Sequence, residues 1–356
     1  MALSKLNNDS FADTAVHGRR NLIINGAMQV AQRGTSSTGI TAGGYRTCDR
    51  FRFSPSSAGT WTVTQSTEAP DGFANSFKAD CTTADASLSA GDFLILEQKI
   101  EGQNLQNLKK GTASAESLTL SFWVKSSKTG TYICELDDND NGRNINKSYT
   151  ISAADTWEHK SLTFDGDTSG TLDNDSNDSF RVFFWLAAGS TYTSGTLATS
   201  WESTTNANRA VGQVNLADNT SNDWYVTGVQ LEVGDKATPF EHRSFGDELA
   251  MCERYYEKSY NYAYAPGTLT SNGAEFHQID DGGLQRDMTK WRTKKRAAPS
   301  VTIYNPDTGT TGEVRTNANT DFSTTVYTAS EGSCFLSYTP TSGQFLEYHY
   351  EADSEL

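Results

Sequence analysis

Six tryptophans, Trp61, Trp123, Trp157, Trp185, Trp201 and Trp224, fall in the first two thirds of a 356-residue chain, among many Ser, Thr, Asn and Asp residues. An indole face packs well against the C–H face of a pyranose ring, and nearby polar side chains then fix the hydroxyl groups. Glycan binding is therefore the first chemistry to consider. Leu118, Leu120, Phe122 and Val124 alternate with Thr119, Ser121, Trp123 and Lys125, which is the period of a strand with one buried face. Trp123 lies opposite the apolar face and is the best-placed candidate. Trp185 and Trp201 join it as candidate glycan contacts. The competing reading sends such rings into the core or an oligomer interface.

Asp137-Asp138-Asn139-Asp140-Asn141-Gly142 resembles the front of a calcium loop, with side-chain oxygens at alternating positions and glycine at the sharp turn. Asp137, Asn139 and Asn141 are the candidate ligands. The twelfth position is Ser148, where an EF-hand needs a bidentate Glu, and the flanks read as strands. The expectation is a structural calcium between loops or, in competition with it, a solvated hairpin turn. A basic run, Lys290-Trp291-Arg292-Thr293-Lys294-Lys295-Arg296, is a candidate contact for an anionic glycan or lipopolysaccharide phosphate; a solvated linker is its ordinary fate. No cofactor is expected. Catalysis has no motif behind it, since no GxSxG, HExxH, GxGxxG or P-loop occurs, so the chain is not expected to be an enzyme.

The elements that must position these residues are strands. Only 21% of residues are charged, while Ser, Thr, Asn, Asp and Gly abound; these residues punctuate strands. Phe93–Leu96 and Arg181–Leu186 are apolar runs suited to central strands. Tyr132, Cys134 and Leu136 share a face, as do Tyr225, Thr227, Val229, Leu231 and Val233. Ser54–Thr60, Thr82–Gly91, Asp137–Asn146 and Asp165–Ser179 read as loops. One helix is expected after Pro239, with Ser244 as N-cap, Asp247 as capping-box acid, and Leu249, Cys252 and Tyr256 on one face.

The fold class is all-β: a jelly-roll sandwich, a short connector helix and a small C-terminal β domain. The domain reading is an arm over residues 1–20, the sandwich over 21–243, the connector over 244–258 and the second β domain over 259–356. The net charge of −15 disfavours nucleic acid, whose phosphates an acidic surface repels. Five scattered cysteines suggest neither a disulfide framework nor a zinc site and fit a protein made in a cytoplasm. The start has no apolar h-region, and no apolar run approaches the ~20 residues of a membrane span, so no membrane insertion is expected.

Two stretches carry a resemblance. The first is GRRNLIINGAMQVAQRGT from Gly18, followed by Asp49-Arg50-Phe51. The second is WYVTGVQLEVGDKATPFEHRSFGDELAMCERYY, from Trp224 to Tyr256. Together they resemble the opening and closing segments of a jelly-roll module of bacteriophage tail-fibre and virion-appendage proteins of the marine-phage type. The sandwich is similar to carbohydrate-binding modules of that fold. The resemblance implies a virion protein made in the host cytoplasm, homo-oligomeric and trimeric, attached to other tail or capsid proteins through its N-terminal region. It implies a tail fibre or receptor-binding protein that adheres to host surface polysaccharide or lipopolysaccharide. The alternative is a purely structural head or tail appendage. A polysaccharide depolymerase is the third reading, and it lacks both β-helical repeats and catalytic motifs.

Overall fold

The computed structural model describes residues 19–279, 283–340 and 345–356. Most of the N-terminal arm expected over residues 1–20 lies outside the described residues. The first thirteen strands are β1 (Ser36–Ile40), β2 (Gly44–Tyr45), β3 (Arg52–Ser56), β4 (Thr60–Ser66), β5 (Ser76–Thr83), β6 (Phe93–Glu101), β7 (Leu118–Ser126), β8 (Gly130–Asp138), β9 (Arg143–Ile151), β10 (Glu158–Phe164), β11 (Asp178–Ala188), β12 (Glu202–Ser203) and β13 (Asp223–Val233). They form two antiparallel sheets, one of six strands in the order β1-β4-β5-β13-β7-β10 and one of seven in the order β12-β9-β8-β11-β6-β3-β2. This is the all-β sandwich that the composition implied.

The core lies between the sheets. Leu118, Leu120, Phe122 and Val124 of β7 are buried there, against Tyr149 of β9 and Phe184 of β11, both edge-on to Phe122 with ring centres 5.1 Å away. Trp61 and Trp224 are fully buried in the same core. The apolar runs of β6 and β11 have a second cause. Phe180, Val182, Phe184 and Leu186 face the core, while Phe183 and Trp185 face the other way and are roofed by the segment after β11. A strand covered on both faces has no polar side to show.

One strand departs from simple alternation. Tyr225 and Thr227 do not share a face with Val229 and Leu231. Trp224 and Val226 fill the core before a bulge at Gly228, and Val229 and Leu231 fill it after. Gly228 has φ of 62°, and a Cβ there would lie 2.7 Å from the Phe73 ring. The extra residue shifts the register by one, which exchanges the faces.

The two resembling stretches form one clasp. The Asn21 side chain donates to the Val229 carbonyl at 3.0 Å and accepts from the Ile23 and Leu231 amides at 2.9 and 3.0 Å. Gly26 lies so close to β13 that a Cβ would sit 2.1 Å from the Val229 oxygen. Glu241 accepts from the Arg19 and Asn21 amides at 2.6 and 2.7 Å, and Arg243 donates to the Asn21 and Ile23 carbonyls.

A four-residue helix, α1 (Ser190–Thr193), precedes β12. The connector is α2 (Phe245–Glu253). The Ser244 hydroxyl accepts from the Asp247 amide at 3.2 Å and donates to its carboxylate at 2.6 Å. The helix stops at Glu253, short of the expected 258. Tyr256 already belongs to a strand, and its ring lies under the Arg33 guanidinium at 3.6 Å.

The remaining strands are β14 (Tyr256–Lys258), β15 (Glu275–Gln278), β16 (Gln285–Lys290), β17 (Ser300–Tyr304), β18 (Glu313–Thr316), β19 (Asp321–Ala329), β20 (Ser333–Tyr338) and β21 (Phe345–Asp353). They make one eight-stranded sheet around β21, with its own core of Trp291, Ile303, Val314, Leu336, Leu346, Tyr348 and Tyr350. The seam with the sandwich is ionic. Glu355 pairs with the buried Arg50, whose guanidinium lies 3.4 Å from the Tyr255 ring. Glu101 takes two 2.7 Å bonds from Arg254 and one from the Tyr255 hydroxyl. Burial works to raise the Glu101 pKa, yet these three donors hold it below the usual carboxylate range. Among the described residues no helix is long and apolar enough to cross a membrane.

The basic run is not a solvated linker. Lys295 is fully buried, with its ammonium 2.7 Å from Glu257 and 3.0 Å from the Thr293 carbonyl. Arg292 donates to the Lys258 and Ser259 carbonyls, and Arg296 to those of Ser176, Ser354 and Glu355. Arg292, Lys295 and Arg296 are spent on main-chain oxygens because three chain segments meet there, while Lys290 and Lys294 stay exposed and Lys294 pairs with Glu331 at 2.7 Å. All five cysteines are buried and unpaired, and burial pushes the Cys81 thiol up to about 11 and that of Cys334 to about 12.

Candidate functional site

The outer face of the seven-stranded sheet carries a groove of about 210 Å³. Strand register builds it row by row. One row runs Asn146, Glu135, Phe183, Glu97, Arg52 across β9, β8, β11, β6 and β3. The next runs Ser148, Ile133, Trp185, Ile95, Ser54, and the one on the other side Asn144, Asp137, Arg181, Lys99. Side chains two apart on each strand point the same way, so the rows stack into a floor.

The segment 189–210 forms one wall. The Tyr192 ring stands 5.3 Å from Trp185 and edge-on to Phe93 at 5.7 Å. Arg209 reaches back over the Phe183 and Trp185 rings, 5.5 and 5.3 Å from their centres. Its Nε and Nη2 meet Glu135 at 2.9 and 2.8 Å, and the Trp185 indole donates to the other Glu135 oxygen at 2.7 Å.

Four cations face four carboxylates in this groove. Arg52 pairs with Glu97 at 2.5 Å, Lys99 with Asp178 at 3.2 Å, Arg181 with Asp178 at 2.7 Å and with Asp137 at 3.7 Å, and Arg209 with Glu135. With all four carboxylates ionised the field over the groove is close to balanced. Burial raises the Glu135 pKa against the pull of Arg209. Burial and the neighbouring Glu135 push Asp137 up to about 7. A carboxyl that exchanges its proton near neutrality is both donor and acceptor for hydroxyl groups.

The three candidate tryptophans are not brought together. Trp123 is half-buried on the outer face of the opposite, six-stranded sheet, 5.2 Å from the His159 ring. Trp201 sits at the sandwich edge beside β12, its indole donating to the Asp165 carbonyl at 2.7 Å. Trp185 alone lines the groove, and at 2% exposure it buttresses Tyr192 and Arg209 more than it presents a face. The surfaces open to a ligand are Phe93, Tyr192, Arg52, Arg181 and Arg209, over the Phe183 floor. Outward alternation could have flagged Arg181 and Phe183. Tyr192 and Arg209 leave no signal, because they come from a segment whose path is set by tertiary packing.

The candidate calcium ligands do not converge either. The expected loop over Asp137–Asn146 is mostly strand, since β8 runs to Asp138 and β9 starts at Arg143. Asp137 lies on the groove face of β8, 3.7 Å from Arg181. The Asn139 amide donates to the Asp178 carbonyl at 2.8 Å, and Asn141 donates to Asp138 and, at 3.0 Å, to the Thr171 carbonyl. Among the described residues no three His, Cys, Asp or Glu side chains are grouped to hold a metal ion. Asp137, Asn139 and Asn141 thus turn to different partners and do not form one ligand set as placed.

A larger groove, about 1050 Å³, runs along the seam between α2 and the basic run. Its cations Arg243, Arg254 and Arg296 already bind carbonyls and carboxylates that hold the domains together. Size alone does not make it the site; the smaller groove has the convergent rings.

No family model matches the chain, and no curated protein matches it. Solved structures align with about half to three fifths of the chain at low scores. The enzymatically active domain of tailspike protein 4 of bacteriophage CBA120 is 13% identical over 60% of this chain and 21% of that one, with TM-score 0.30. TmCBM61, solved with β-1,4-galactotriose, is 10% identical over 60% and 99%, with TM-score 0.31. The family 11 carbohydrate-binding module of Clostridium thermocellum, solved with a β-1,3-1,4-mixed-linked tetrasaccharide, is 12% identical over 58% and 99%, with TM-score 0.29. The chain spans about a fifth of the tailspike chain. At these identities and scores the likeness carries no argument about what this chain binds.

Proposed function

We propose that this protein is a glycan-binding appendage protein of a phage virion, a tail fibre or receptor-binding protein that holds uncharged polysaccharide on the outer face of the seven-stranded sheet. The observation that carries the reading is the groove itself: the rings of Phe93, Tyr192 and Phe183 converge among polar groups whose charges are already matched. Rings supply faces for sugar C–H groups, and the paired ions offer donors and acceptors without a net field. A balanced groove favours neutral sugars over lipopolysaccharide phosphates. The virion reading rests on the resemblance of the two clasped segments.

Self-association fits the same reading. Phe276, Leu284, Met288, Tyr327, Phe335 and Phe345 are exposed on the C-terminal domain, where Met288 faces Phe335 in register, while among the described residues Val233 is the one exposed large apolar side chain of the sandwich strands. Exposed apolar side chains of this kind suit a contact surface, and a trimer would sum weak glycan contacts by avidity. These exposed residues equally suit the second reading, a structural appendage that only assembles. Catalysis is not part of the proposal, because Arg209 and Trp185 occupy both oxygens of Glu135, the most buried carboxylate of the groove.

The test is calorimetric titration of purified full-length protein with neutral and with phosphorylated host-surface polysaccharide. Tyr192→Ala with Arg52→Ala is expected to weaken neutral-glycan binding at least ~10-fold, the scale of losing one stacked ring, while Trp123→Ala leaves it unchanged. Binding that survives the groove variant and disappears with Trp123→Ala would overturn the assignment of the face. Release of reducing ends would overturn the non-catalytic reading.

A further inference from the structure

Asp138, one acid of the stretch that resembles a calcium loop, does hold a cation, and it is a side chain. Lys110 follows the 3-10 turn Gln106–Leu108, and its ammonium enters a cage made by three other segments. It pairs with Asp138 at the end of β8. It lies 3.0 Å from Asp167, and 2.9 Å from each of the Ser169 and Gly170 carbonyls. The side chains of Lys110, Asp138 and Asp167 are 4%, 0% and 3% exposed. The Trp201 ring centre stands 5.2 Å from the ammonium.

We propose that Lys110 is a built-in cation occupying a seat for a small hard cation, so that the loops around it are locked without calcium. The donor set is the reason. Two carboxylates and two main-chain carbonyls are the hard oxygens that calcium takes, yet here the distances are those of N–H···O hydrogen bonds. The charge count closes: Asp138 and Asp167 are balanced by Lys110 and by Arg143, which grips Asp167 with bonds of 2.7 and 3.1 Å. Without the ammonium one buried negative charge is left over, and a mobile cation would be drawn to it. The lock ties the turn before β7, the β8–β9 hairpin and the segment 165–172, because Gly111 also donates to the Asp167 carbonyl at 2.9 Å and Asn141 to the Thr171 carbonyl.

The experiment is thermal unfolding of the full chain. Wild type is expected to keep one midpoint in EDTA and in millimolar calcium. Lys110→Ala is expected to melt about 10 °C lower, the scale of a broken buried ion pair in a protein of this size. Calcium or ethylammonium should raise that midpoint saturably, and sodium chloride at matched ionic strength should not; the calcium and ethylammonium arms show which cation the emptied seat accepts. A wild type that needs calcium, or a variant that neither cation restores, would overturn the proposal. If Lys110→Ala aggregates, Lys110→Met combined with Asp138→Asn decides: a folded, cation-blind protein supports the charge balance, and failure to recover a fold overturns it.

Discussion

Asp137→Asn should change how stability depends on pH, and the direction is fixed by the groove. Asp137 sits beside Glu135 on the same face of β8, with Arg181 3.7 Å away. Burial and Glu135 raise its pKa from the ordinary 3.8 to about 7. A raised carboxyl pKa means that the folded state binds the proton more tightly than the unfolded chain. The contribution is therefore fully present below about pH 4 and is lost as pH rises through about 7. The size of the rise corresponds to up to about 4 kcal/mol. An amide has no charge to desolvate, so Asp137→Asn should remove this loss. The assay is urea unfolding of both proteins at pH 5 and pH 8. Wild type should lose up to about 2.5 kcal/mol more than the variant between those two values, the part of the shift that lies above pH 5. Asp49, which burial raises to about 6, contributes in the same sense to both proteins and cancels in the comparison. Equal losses in the two proteins, or a larger loss in the variant, would refute the reasoning.

Three further outcomes follow from specific contacts. Gly26→Ala places a Cβ 2.1 Å from the Val229 oxygen, so the clasp must part; a cost of about 2–4 kcal/mol is expected by urea unfolding, in the range of severe overpacking. Glu257→Gln leaves the fully buried Lys295 ammonium without its counter-charge, and a loss of about 3–5 kcal/mol is expected, read as a lower melting midpoint of the C-terminal domain. Gly228→Ala forces a side chain into the left-handed region and against Phe73; about 1–3 kcal/mol should be lost in the same urea assay, and a neutral result would show that the bulge is not fixed by this residue.

Much of the fold could be read from local pattern. The alternation in β7 and the apolar runs of β6 and β11 state their strands directly, because burial of alternate or of both faces is written in residue type. Ser244 and Asp247 marked the start of α2 for the same local reason. Its end was hidden, because Tyr256 is drawn into β14 by Arg33 and by pairing with β21, contacts made from far along the chain. The face exchange in β13 depends on one glycine with positive φ, which period-two counting passes over. Long-range pairing also decided the charged residues. Lys295 looked like part of a solvated run until Glu257 is placed against it, and Lys110 gave no sign of its cage.

The site was the least legible part. Of three chosen tryptophans, strand parity correctly turned Trp123 away from the core but did not say which outer face gathers a groove. That depends on the segment 189–210, whose Tyr192 and Arg209 reach residues more than fifty positions away. Tryptophan count was a poor guide because Trp61 and Trp224 fill the core, and Trp201 packs beside Lys110.

Backbone hydrogen exchange with and without neutral host polysaccharide tests the groove most directly. Glycan should slow exchange in β6 and β11 and in segment 189–210, and leave the six-stranded sheet and residues 259–356 unchanged. Protection confined to the face that carries Trp123, or to the C-terminal domain, would contradict the placement of the binding site on the seven-stranded sheet.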